Sequence, residues 1–140
     1  MAANTSPIFT LTPKLTWFAG AVLTANTAKD GASGTVYSVF TAPASDGAYV
    51  YKLRFRPIGT NVLTVARIFI NNGSATTTAA NNALFDEITL PATTISEVGA
   101  QPLYELAMNV ALPANYVIFV TVATGVAAGF AVSCVAANYS

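Results

Sequence analysis

The chain has 140 residues, six Lys and Arg against six Asp and Glu, no His and one Cys, and apolar types make up 54% of it. That length is one domain's worth, enough to bury a core without disulfides or metals, yet only 9% of residues are charged where an ordinary soluble domain has about 25%. Without histidine the chain builds neither a Ser-His-Asp or Cys-His arrangement nor a usual Cys/His zinc site, and zero net charge gives no pull on nucleic acid and little repulsion between copies.

Residues 1–14, MAANTSPIFTLTPK, come first. Pro7 and Pro13 deny them helix, while Ile8, Phe9 and Leu11 want burial. The segment reads as an extended arm, docked on a neighbouring subunit by strand addition or laid down as an edge strand of its own sandwich. Lys14 and the apolar run after it make a poor signal peptide, because no cation precedes that lysine, and synthesis in a cytoplasm is expected.

A first strand is expected over 15–20, LTWFAG, where adjacent Trp17 and Phe18 face opposite ways and make a candidate contact pair. Gly, Asp and Ser in TANTAKDGASG mark a turn, and a second strand follows at 35–41. The third, 48–56, lies in AYVYKLRFRP. Alternation places Tyr49, Tyr51, Leu53 and Phe55 on one face and Val50, Lys52, Arg54 and Arg56 on the reverse. Half of the chain's six cations thus share one side of one strand. Either they dock an acidic partner surface, for which Arg is suited, or acids such as Glu87 or Glu105 on a paired strand neutralise them.

The fourth strand, 62–71, carries Arg67, which extends that patch or closes a pair within the sheet. NNGSATTTAANN, 71–82, is a connector or a contact loop without chemistry of its own. A fifth strand over 83–90 holds Asp86 and Glu87, which as neighbours face apart and cannot form an acid/base pair together. These two, with Glu97 and Glu105, read as solvated or salt-bridged acids. A helix before the sixth strand, 103–110, is cut by Gly99 and Pro102. Residues 116–137 are uncharged and long enough to cross a bilayer. Their period of two and the break at ATGVAAG give instead two buried strands, 115–123 and 129–137, with Cys134 a buried small hydrophobe.

Eight short strands separated by turns predict an all-β fold, an eight-stranded antiparallel sandwich of jelly-roll type over 15–140 behind the arm. No phosphate cradle or calcium loop is present in the sequence, so no catalytic, cofactor or metal site is expected, and no membrane or nucleic-acid partner. Such a chain suits assembly. Its candidate contact residues are Lys52, Arg54, Arg56, Arg67, Ile8, Phe9, Trp17 and Phe18.

The phrases RPIGTNVLTVARIFINNG, NALFDEITLPATT and ALPANYVIFVTV resemble, as a set, small structural proteins of tailed-phage head modules. The likeness is to the jelly-roll capsid cement (decoration) proteins of the kind found on the Bordetella phage. It implies a non-enzymatic virion protein on the outer surface of the capsid, made in the host cytoplasm. Its partner would be the major capsid protein, and it would bind as a homodimer that clamps neighbouring subunits. The alternatives are a fibre or tail subunit, or a carbohydrate-binding jelly roll.

Overall fold

A computed structural model describes residues 9–140. The strands are β1 (Thr12–Trp17), β2 (Tyr37–Thr41), β3 (Ala48–Pro57), β4 (Thr64–Asn71), β5 (Asn82–Leu90), β6 (Tyr104–Leu112), β7 (Val117–Val122) and β8 (Phe130–Asn138). Among the described residues the only helical element is a single 3-10 turn, Ala79–Asn81. The strands form two four-stranded antiparallel sheets in the orders β1-β8-β3-β6 and β2-β7-β4-β5. They will be called the β1 sheet and the β2 sheet.

The pairing is nested. β4 pairs with β5, β3 with β6, β2 with β7 and β1 with β8, as if one long hairpin had been rolled up from its tip. Lateral pairs β3 with β8 and β4 with β7 then close each sheet. Between the sheets lies a β-sandwich core. Val50, Leu53, Phe55, Phe130, Val132 and Cys134 come from the β1 sheet, and Ala66, Ile68, Ile118, Val120 and Val122 from the other, all essentially without exposure. Burying each Leu, Ile or Phe contributes about 1.5–3 kcal/mol, and alternation along each strand is what turns these side chains inward together.

Two expectations need correcting. β1 starts at Thr12 and ends at Trp17 instead of covering 15–20, so Thr12, Pro13 and Lys14 belong to the sandwich, paired with Asn138, Ala137 and Ala136. β1 is an edge strand, where a proline without an N–H is tolerated, and the chain leaves the sheet before Gly20, whose φ is +140°.

The second correction concerns the faces of β3. Ala48, Val50, Leu53 and Phe55 point inward, so Tyr49 and Tyr51 do not share a face with Leu53 and Phe55. They stand outside with the cations, ring against ring at 4.9 Å. A bulge is the cause. From Val50 to Lys52, β3 takes two steps where β8 takes one, Ala136 to Val135, and β6 takes three, Val110 to Ala107. One extra residue shifts the alternation by one, and Tyr51 is that residue in β3. In β6 the slack is taken up near Asn109, at φ +47°, a left-handed conformation that Asn tolerates better than most side chains.

Loops at one end are tied by a buried asparagine. Asn61 Nδ2 donates to the Gly129 carbonyl at 2.9 Å, and its Oδ1 accepts from the N–H groups of Ala128 and Gly129 at 3.0 and 2.8 Å. Its backbone bridges to Thr93. Residues 71–82, expected to be plain connector or contact loop, are likewise laced by asparagines: Asn81 Nδ2 donates to Ala75 O at 2.9 Å and Asn82 Nδ2 to Thr76 O at 2.8 Å.

Candidate functional site

The outward faces of the two sheets are finished differently. On the β2 sheet, Phe69 and Phe119 are register neighbours whose rings stack at 5.2 Å. The connection between β1 and β2 lies over them. Its Gly31, at φ +68°, sits so close that a Cβ there would come within 2.9 Å of Phe69 and 3.0 Å of Phe119. Asn26 holds this flap in shape, its Nδ2 donating to Ser33 O at 2.8 Å and Thr35 O at 2.9 Å. Asp30 closes the turn beside it, and hydrogen bonds from the Ala32 and Ser33 N–H groups hold its carboxyl below the usual range.

Arg67 lies beneath the same flap, on the β2 sheet, and closes a pair within that sheet. Its Nε stands 2.8 Å from Glu87 Oε1, Nη1 donates to Asn26 O at 3.4 Å, and only 11% of its side chain is exposed. It belongs to a different sheet from Lys52 and Arg54 and does not extend their patch.

The outward face of the β1 sheet is left open. Inward Phe130, Val132, Cys134 and Ala136 leave Ala131, Ser133, Val135 and Ala137 of β8 on the outside, all small or medium-sized. On either side stand larger groups: Leu15 and Trp17 on β1, 60% and 65% exposed, and Tyr51 on β3, 41% exposed. Register aligns Trp17, Ser133, Arg54 and Glu105 in one row and Leu15, Val135, Lys52 and Ala107 in the next. Small side chains on a middle strand between larger ones make a trough. Along it lies a depression of about 630 Å³ lined by Leu11, Leu15, Tyr51, Arg54 and Val135 among others.

The cations of β3 are partly answered from within. Lys52 Nζ reaches both oxygens of Glu105, at 3.1 and 3.0 Å. Arg54 Nε is 3.2 Å from Glu105 Oε1, but its N–H is not aimed at that oxygen, and this nitrogen is shielded from water without a hydrogen-bond acceptor. The contact is therefore one of charge alone. The Lys52 hydrogen bond, with the Lys52 and Arg54 charges, holds the Glu105 carboxyl below its ordinary range. These are surface pairs, with side chains 38–39% exposed, and such pairs contribute little to stability. Among the described residues no carboxylate pairs with Arg56. Three cations against one acid leave this part of the face at 3 − 1 = +2.

Phe18 turns away from Trp17, half-buried and edge-on to Tyr37 at 4.8 Å. Phe9 is 67% exposed just ahead of β1, and Ile8 lies outside the described residues. Cys134 is buried, and burial pushes its thiol up to about 12, so it is no nucleophile at neutral pH. Among the described residues no cluster of three or more potential metal ligands converges, and no helix is long and apolar enough to cross a membrane. Sequence reasoning missed the trough, because small outward residues on β8 acquire meaning only when β1 and β3 are known to flank it. It also missed the role of Asn26, hidden in a stretch whose composition signals only a turn. No protein-family model, curated protein or solved structure matches the chain.

Proposed function

We propose that the chain is a cement protein of a tailed-phage head. It binds the outside of the shell and clamps neighbouring copies of the major capsid protein, using the outward face of the β1 sheet. The observation that carries this reading is the contrast between the two faces. The chain spends a long connection covering Phe69 and Phe119 on one sheet, yet leaves Leu11, Leu15, Trp17 and Tyr51 exposed on the other. Contiguous exposed apolar groups beside charged ones mark a contact surface.

The fold reading that goes with it is a jelly roll. The rolled-hairpin pairing and the orders β1-β8-β3-β6 and β2-β7-β4-β5 support it. So does the resemblance of RPIGTNVLTVARIFINNG, NALFDEITLPATT and ALPANYVIFVTV to jelly-roll cement proteins. A charged fraction of 9% suits a protein much of whose surface is covered in use. As a dimer it has two linked attachment sites, so that the second attachment is effectively intramolecular and a molecular twofold matches one in the shell. Binding only the assembled state, it stabilises the shell by mass action.

The test is co-sedimentation of the purified chain with phage heads stripped of their own decoration protein. Saturable binding, with heads that resist heat better once loaded, is expected. Absence of binding alongside retention on a glycan array would replace this reading by sugar recognition, and assembly into trimers or rods would replace it by a fibre role.

A further inference from the structure

The trough on the outward face of the β1 sheet has a shape and a charge that specify an occupant. Its floor is β8 and its walls are β1 and β3, two strand spacings apart, roughly 10 Å. An α-helix with side chains is about 10–12 Å across and cannot descend between those walls, whereas a single extended chain can. Leu11, Leu15 and Val135 offer apolar contact. The lining contains Arg54 and no Asp or Glu. Arg54 Nε faces Glu105 without a directed hydrogen bond, and although that nitrogen is shielded, the side chain as a whole is 38% exposed, so its guanidinium can meet a second carboxylate.

From this geometry we infer that the trough receives an extended acidic-apolar segment of a partner protein, in which an apolar side chain sits over Val135 and a carboxylate two residues along, on the same side of the segment, meets Arg54, which stands one row further along β8. The inference rests on the head-binding reading only for the partner's identity, the shell protein. The local charge of +2 around Lys52, Arg54, Arg56 and Glu105 attracts such a segment and repels a basic one. The chain's own first eight residues, MAANTSPI, contain no Asp or Glu and so cannot answer Arg54, whether they come from the same copy or a second one.

The test is an NMR titration of the isotope-labelled full chain with the acetylated pentapeptide Val-Thr-Glu-Thr-Val amide, whose valines and carboxylate share one face when extended, and its glutamine twin. Shifts confined to residues 11–17, 51–54 and 131–137 are expected, with the glutamine peptide about fivefold weaker or more, in keeping with a charge-assisted contact. Arg54→Gln is expected to equalise the two peptides, and Val135→Trp, which fills the trough, to abolish binding of both while circular dichroism shows the fold intact. No shifts, shifts elsewhere, or equal affinity of the two peptides for the unaltered chain would overturn the inference. Deleting residues 2–8 should leave the titration unchanged; tighter peptide binding after the deletion would show the arm to be the occupant and overturn it too. Val135→Trp is also expected to lose head binding. Heads that hold it as well as the unaltered chain would remove the trough from the interface without touching the head-binding reading. Peptide binding without head binding would do the reverse.

Discussion

Glu105 is the residue on which the electrostatics of the open face turn. Because its folded carboxyl titrates below the ordinary range, chiefly through the Lys52 hydrogen bond, the ionised form favours the folded state. That contribution is fully present above the unfolded value, about 4.3, and disappears as pH falls through the depressed folded one. Glu105→Gln is therefore expected to lower the melting temperature at pH 7, with the gap to the unaltered chain narrowing progressively as pH falls below about 4. A gap that stays constant across that range would mean the carboxylate's charge is irrelevant. Here the sequence named both partners. Lys52 and Arg54 had Glu105 among their candidate acids, and Glu87 was named as a neutralising acid too, but its cation is Arg67, because which acid serves which cation depends on strand order and register.

At the scale of elements, the strand positions were written in the alternation of apolar residues, and the expected segments overlap all of the eight observed strands. Irregularities were not. The third strand reads as an uninterrupted alternation, and nothing in AYVYKLRFRP announces that Tyr51 is an extra residue relative to β8; the bulge is set by two partner strands at once. Asn109 is the place to probe it. Asn109→Gly should leave stability within about 0.5 kcal/mol, whereas a β-branched side chain at φ +47° costs about 1–2 kcal/mol, so Asn109→Val should unfold at lower denaturant. Equal midpoints for the two variants would show that the left-handed turn does not constrain this position. The flap over the β2 sheet depends likewise on Gly31, where a methyl meets both the positive φ and the Phe69 and Phe119 rings. Gly31→Ala is expected to cost about 2–4 kcal/mol and to speed hydrogen exchange of residues 26–35. Unchanged exchange would mean that the flap is held by other contacts.

Considered whole, the molecule is a rolled hairpin with one face sealed by its own chain and one left open. Low charge and the absence of histidine point in the sequence toward assembly, and the proposed likeness to cement proteins names a candidate partner, but the choice of face required the fold. The same cations that stood out in the sequence lie on the open side, beside Trp17 and Leu15, which alternation alone places on no particular side. The most direct measurement is co-sedimentation with stripped phage heads of three proteins: the unaltered chain, Leu15→Glu/Trp17→Glu on the open face, and Ile95→Glu/Val98→Glu in the exposed β5–β6 connection. If the open face docks on the shell, the first and third bind alike and the second loses tenfold or more in affinity, about 1.4 kcal/mol or more. Full binding by the Leu15/Trp17 variant, or loss confined to the Ile95/Val98 variant, would contradict it.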